Sequence, residues 1–143
     1  MGRHSAGVLT TAGTAARPMM SLFAGASNGG KLIEVGCFNT IATALAIFLS
    51  RLTAQGTPGA GLTEGKHDPA SPSLMTAFGT HSADATLGDD LGYRAVLGAA
   101  IGSAVIWTIP KGIIIPVGTA NGIGLILENG TGQACQAYFV WEE

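Results

Sequence analysis

Charged residues are scarce in this sequence. Asp, Glu, Lys and Arg make up 11% of its 143 residues, whereas an ordinary globular domain contains roughly 25%. With so few charges, much of the surface of the folded chain must be neutral, and neutral surface is what protein–protein contacts use. The composition therefore predicts a subunit of an assembly rather than a free monomer.

Basic residues are too few and too scattered to form a nucleic-acid-binding surface. The chain contains seven Lys and Arg residues, and its formal net charge is −2. No stripe of positive charge is available to neutralise a run of phosphates. We therefore expect no direct binding of nucleic acid.

The sequence lacks a segment long enough to span a membrane as a helix. Two apolar stretches, residues 35–50 and 95–109, are 16 and 15 residues long, and a spanning helix needs about 20. Behind Arg3 the chain is rich in Ser, Thr, Gly and Ala, so we expect no export signal. The hydropathy leaves a small holin-like membrane protein open as an alternative, but we expect no membrane partner.

Cysteine and histidine are rare, and neither occurs in a catalytic or metal-binding pattern. Cys37 and Cys135 have no CxxC or Cys/His spacing, which favours two buried thiols and leaves a disulfide open. No GxSxG elbow occurs, and nothing in the sequence groups two carboxylates opposite each other across a cleft. The stretch that ends in Gly65 and Lys66 is not a phosphate loop, because Ala60 stands where that motif requires glycine and His67 stands where it requires Ser or Thr. We predict neither an enzyme nor a metal or cofactor site.

Glycine, in contrast, is abundant and divides the chain into short pieces. The 22 glycines leave little room for long helices, and short apolar pieces between turn signals are typical of a β-sandwich or barrel. The predicted strands are residues 17–25, 31–38, 40–53, 73–78, 93–97, 103–109, 112–117, 122–127 and 133–141. We predict an all-β, jelly-roll-like sandwich of about eight strands with an extended N-terminal arm.

The predicted strands differ in how clearly they are marked. Residues 40–53 also fit a helix, and the corner at Asn39 and Thr40 favours the strand. The clearest alternation is in the last strand, where one face carries Ala134, Gln136, Tyr138 and Val140 and the other carries Cys135, Ala137, Phe139 and Trp141.

The chain divides into an arm and one domain. Residues 1–16 are predicted to form a flexible or extended N-terminal arm, and residues 17–143 a single β-sandwich domain. Within the domain, residues 55–72 and 83–92 are predicted loops. A loop as long as the first is either functional or disordered.

Three segments carry a resemblance to a known class of proteins. They are residues 31–59 (KLIEVGCFNTIATALAIFLSRLTAQGTPG), residues 87–133 (LGDDLGYRAVLGAAIGSAVIWTIPKGIIIPVGTANGIGLILENGTGQ) and residues 138–143 (YFVWEE). They resemble small proteins encoded among the head and structural genes of tailed bacteriophages. The resemblance implies a virion structural protein, first of all a capsid decoration protein on the capsid surface. The alternative is a tail or head-fibre accessory protein that binds a receptor or glycan.

The resemblance also implies the partners. These are the major capsid protein and further copies of the chain, with a homotrimer favoured. A decoration protein clamps neighbouring shell subunits, and arms and long loops suit that task because they cover wide surfaces and add strands to sheet edges. We therefore expect contacts from the arm and from the loop at residues 55–72. The candidate contact residues are Ser5, Val8, Leu9, Thr10, Arg17, Pro58, Leu62 and His67.

Overall fold

The computed structural model describes residues 2–129 and 132–143, and all regular structure within these residues is β-strand. The ten strands are β1 (Arg3–Leu9), β2 (Pro18–Phe23), β3 (Gly30–Asn39), β4 (Leu45–Ala54), β5 (Gly65–Lys66), β6 (Thr76–Phe78), β7 (Thr86–Leu97), β8 (Ala104–Ile115), β9 (Gly122–Leu127) and β10 (Cys135–Glu142). The predicted all-β class is confirmed.

The strands form two antiparallel sheets of five strands each. The first sheet has the order β5-β1-β10-β3-β8, and the second has the order β6-β2-β9-β4-β7. Among the eight long strands, each crosses to the opposite sheet from the one before it, except that β7 pairs with β4 in the same sheet. The chain is therefore a jelly-roll-like β-sandwich, with two short strands added to the eight long ones.

The core lies between the sheets and is built from alternating residues of the strands. The buried side chains of β10 are Cys135, Ala137, Phe139 and Trp141, as the period-2 pattern predicts. Strands β2 and β9 are buried along their whole length. Their outer faces belong to a second apolar cluster, in which Phe23 and Ile126 pack against Phe78.

The segment predicted as an N-terminal arm lies largely within the sandwich. Arg3–Leu9 is strand β1, which pairs with β10 on one side and β5 on the other. Gly2 exchanges two backbone hydrogen bonds with Glu143. The small residues Ser5, Ala6 and Gly7, which suggested a flexible chain, lie instead in the middle of β1, where Ala6 is buried against the core. The domain therefore begins well before residue 17, while Met1 of the predicted arm lies outside the described residues.

Two predicted loops have different outcomes. Residues 83–92 were expected to be irregular, but most of them belong to the long edge strand β7. Residues 55–72 are irregular except for β5 and an isolated bridge between Gly61 and Phe78. The strand predicted at residues 40–53 begins only at Leu45, and the corner before it leads from the first sheet to the second.

The two strands predicted at residues 103–109 and 112–117 are one strand, β8. Its pairing with β3 shifts register opposite Ile33, where the ladder is interrupted by a bulge. The bulge accommodates Pro110, which has no N–H to donate, and Gly112, whose φ is +70°. The turn signals in this segment therefore bend the strand without ending it.

Candidate functional site

The outer face of the first sheet is a nearly uncharged surface. Strands β1, β10, β3 and β8 pair side by side, so their outward residues form rows across the sheet. The three central rows, from β1 to β8, are Leu9, Gln136, Phe38 and Ala104; Gly7, Tyr138, Gly36 and Ile106; and Ser5, Val140, Glu34 and Thr108. We call this surface the platform; Glu34 is its only charged residue.

The ring of Tyr138 lies flat in the middle of the platform. A Cβ atom on Gly36 would clash with this ring, so the ring rests directly on the Gly36 backbone. The Tyr138 hydroxyl donates a hydrogen bond to Glu34 Oε1 at 2.6 Å, and the Phe38 ring stacks on Tyr138 at a centroid distance of 6.3 Å. Burial, the hydrogen bond to Glu34 and the negative charge of Glu34 raise the pKa of Tyr138 to about 12.

A groove of about 360 Å³ lies beside Glu34 on the same face. Its lining includes Glu34 and Thr108 of the platform, together with Arg3, His67 and Glu142. The guanidinium of Arg3 pairs with the carboxylate of Glu142, so its positive charge is already compensated. The volume is within the range of small-molecule sites, about 300–1,000 Å³.

One end of the sandwich is an exposed apolar surface. Backbone hydrogen bonds of Asn39 bring the corner between β3 and β4, residues 40–44, beside the turn between β7 and β8, residues 98–103. Neither segment contains a charged residue. Ile101 lies within the turn and is 75% exposed, and Val96 lies just before the turn, in β7, and is 72% exposed. We call residues 40–44 and 98–103, together with Val96, the apolar tip.

The buried side chain of Asn39 joins the two segments of the tip. Its amide nitrogen donates hydrogen bonds to the carbonyl oxygens of Thr43 at 2.7 Å and Gly98 at 3.1 Å. Its amide oxygen accepts a hydrogen bond from Gln133 Nε2 at 2.8 Å. A surface that is fixed in advance loses less entropy when a partner binds. The tip is therefore preorganised.

Five of the predicted contact residues lie on or beside the first sheet. Ser5 and Leu9 belong to the platform, and His67 lines the groove. Val8 and Leu62 pack partly against the core and line a separate hollow of about 180 Å³, which Leu9 also borders. The structure thus brings Val8, Leu9 and Leu62 together.

The remaining predicted contact residues are dispersed. Thr10 is buried, and its hydroxyl accepts a hydrogen bond from the backbone N–H of Cys135 at 2.9 Å. Because it has almost no exposed surface, Thr10 is not available to a partner. Arg17 forms an ion pair with Asp84 at 2.7 Å, and Pro58 is partly exposed in the irregular segment after β4.

A buried Ser–His pair has no counterpart in the sequence motifs. Ser21 Oγ and His81 Nε2 are 2.7 Å apart, and burial lowers the pKa of His81. A nucleophile must be reached by its substrate and needs an oriented base. Both residues are buried, so a substrate cannot reach the Ser21 hydroxyl. The pair therefore fastens the chain after β6 to strand β2.

The two cysteines are free and buried, as the sequence favours. The hydrogen bond with Cys135 and burial raise the pKa of the Cys37 thiol. Their strands are neighbours, with Cys37 opposite Ala137 and Cys135 opposite Asn39. The thiols thus meet diagonally across two paired strands of the first sheet.

Within residues 2–129 and 132–143, no helix is long and apolar enough to cross a membrane, and no three His, Cys, Asp or Glu side chains are placed to hold a metal ion. No protein-family model, curated protein or solved structure matches the sequence or the fold.

Proposed function

We propose that the protein is a non-catalytic structural subunit that functions through protein–protein contacts. The observation that carries this proposal is the apolar tip, which leaves Val96 and Ile101 largely exposed within an uncharged surface. Full burial of an aliphatic side chain of this size contributes about 1.5–3 kcal/mol. Covering the tip is therefore favourable, and none of its own residues carries a charge that would have to be desolvated.

The partner that we propose for the tip is a second copy of the chain, in a homotrimer. Tips that meet around one axis cover each other without burying an unpaired charge, and closed rotational symmetry is the usual arrangement of identical subunits. Ile41 is also exposed within the tip. Apolar contact area is thus available on both the corner between β3 and β4 and the turn between β7 and β8.

The resemblance of residues 31–59, 87–133 and 138–143 to structural proteins of tailed phages supports a virion as the assembly. We propose a capsid decoration protein on the capsid surface, bound to the major capsid protein. The irregular segment at residues 55–72 is suited to the shell contact, because it is long and most of it is exposed, including His67.

Sedimentation equilibrium tests the self-association. We expect the native chain to sediment as a trimer and a Val96→Ser/Ile101→Ser variant to dissociate at the same concentration. With about 1–2 kcal/mol lost for each residue in each subunit, the dissociation midpoint should rise by at least tenfold. The matched control is Val117→Ser, because Val117 is also exposed but lies at the opposite end of the sandwich. A native chain that is a monomer at every concentration would refute self-association through the tip.

Cryo-electron microscopy of the virions encoded alongside the gene for this chain tests the location. Density for a ten-stranded sandwich at threefold or quasi-threefold positions of the shell is the expected result. Density on the tail instead would favour the accessory protein. Absence from the whole particle would contradict the virion proposal.

A further inference from the structure

The platform differs in chemistry from the apolar tip. Its margins carry exposed apolar residues, such as Leu9 and Ile106. Its middle combines the aromatic ring of Tyr138 with the neutral polar side chain of Gln136 and a single carboxylate, Glu34. An apolar protein partner would leave the polar side chains of the platform without hydrogen-bond partners. A ligand that presents both a C–H face and hydroxyl groups can contact the ring and form hydrogen bonds with these side chains.

We propose that the platform binds a neutral saccharide, with one pyranose ring stacked on Tyr138 and its hydroxyls bound by Glu34 and Gln136. This binding function is separate from self-association through the tip. It uses a different surface and would persist if the tip had no partner.

The backbone around Tyr138 leaves the ring accessible from above. The residues next to it in its row are Gly7 on β1 and Gly36 on β3, so neither neighbour has a side chain that rises over the ring. The ring rests on Gly36, whose position admits no Cβ atom. One face of the ring thus lies against the sheet, and the Phe38 ring lies diagonally beside it, with 6.3 Å between the ring centroids. The apolar face of a sugar would stack on the opposite face of Tyr138.

Glu34 and Gln136 provide polar groups beside the ring that suit the hydroxyls of a sugar. Glu34 Oε1 accepts the Tyr138 hydroxyl at 2.6 Å, which orients the carboxylate. A carboxylate has about four acceptor positions, so it can accept from ligand hydroxyls as well. Gln136 is exposed two residues before Tyr138 on the same strand and offers both a donor and an acceptor.

The charges at the groove favour a neutral ligand over an anionic one. Arg3 is the guanidinium that lines the groove, and it is paired with Glu142. Glu34 would repel a ligand carboxylate or phosphate. The groove continues from Glu34 past Thr108 with a volume of about 360 Å³, which leaves room for a chain to extend beyond the stacked ring.

Amide chemical shifts in a ¹⁵N-labelled protein test the proposal. The probes are the methyl glycosides of glucose, galactose, mannose and N-acetylglucosamine, with cellopentaose and chitopentaose as oligomers. We expect at least one probe to shift the amides of Gly7 and Gly36 while those of Val117 at the far end stay unchanged. Tyr138→Ala should weaken the binding roughly tenfold or more. Glu34→Gln should weaken it less.

Two further variants separate loss of binding from loss of fold. Tyr138→Phe keeps the ring and should retain most of the affinity, whereas Thr53→Ala on the second sheet should bind as the native chain does. The proposal is overturned if no probe shifts the Gly7 and Gly36 amides, or if the shifts persist in a folded Tyr138→Ala variant. Shifts of these amides with protein concentration alone, without sugar, would overturn it by identifying the occupant as a second copy of the chain.

Discussion

Replacement of Asn39 by alanine is the sharpest test of how the apolar tip is built. The side chain donates two hydrogen bonds, to Thr43 and Gly98, and accepts one from Gln133 and a longer one, of 3.4 Å, from the backbone N–H of Ile41. Each bond of ordinary length contributes about 0.5–1.5 kcal/mol, so the loss of the three shorter bonds predicts a decrease of about 2–4 kcal/mol in the free energy of unfolding. Gln133 keeps its bond to Thr43, which limits the number of polar groups left unpaired.

Urea denaturation measures this loss of free energy. Thermal denaturation gives a second measurement: for a domain of this size we expect Tm to decrease by roughly 3–4 °C per kcal/mol, or about 10 °C in all. Asn121→Ala is the matched control, because Asn121 donates one exposed hydrogen bond, to Val117, at the opposite end of the sandwich. Its replacement should cost about 1 kcal/mol or less.

Hydrogen exchange of the backbone amides in the tip measures the local effect of the same substitution. Asn39→Ala should accelerate exchange at Gly98 to Ser103, because the turn loses its link to the corner between β3 and β4. The variant should also associate more weakly than the native chain, since its tip is no longer fixed before binding. A change in stability below about 0.5 kcal/mol with unaltered exchange would refute the view that Asn39 organises the tip.

Two predictions concern single ionisable groups. Cys37 and Cys135 should resist Ellman's reagent in the folded protein and react at once in guanidinium, because both thiols are buried and the pKa of Cys37 is raised; prompt reaction without denaturant would contradict their burial. The Tyr138 phenol should titrate at about 12 in the folded chain instead of 10, as followed by ultraviolet absorbance. Because the folded state holds this proton more tightly, its contribution to stability should be lost as the pH rises from about 10 to about 12. Glu34→Gln should lower this pKa; an unchanged value would exclude the carboxylate as a cause.

The strands that the sequence predicts well are those with one face in the core. In β10, the alternation of Phe139 and Trp141 with Tyr138 and Val140 correctly separates the buried face from the outer face. The same pattern therefore identified one strand of the platform. It could not identify Gly7 or Gly36 as neighbours of Tyr138, because pairing depends on register between strands that are distant in sequence.

The strands that were missed have a weak hydrophobic pattern for identifiable reasons. The buried positions of strand β1 are the polar His4 and the small Ala6, so its inner face does not stand out as apolar in the sequence. The first half of β7 is an edge strand exposed on both faces. It therefore shows no alternation, and Gly88 and Asp89 gave it the appearance of a turn.

The two apolar runs that suggested a membrane segment have a common explanation in the fold. Residues 35–50 and 95–109 each run through a strand end and a turn, and the backbone of Asn39 joins the two turns at the same end of the sandwich. Within the strand portions, the residues that face the core are uncharged because a buried charge would be costly. Burial does not explain why the two turns contain no charged residue, since a charge on an exposed turn is solvated at little cost. That residues 40–44 and 98–103 nevertheless contain no charge is best explained if the tip is covered in the working assembly. The neutrality of the tip thus supports a subunit role independently of the resemblance to phage proteins.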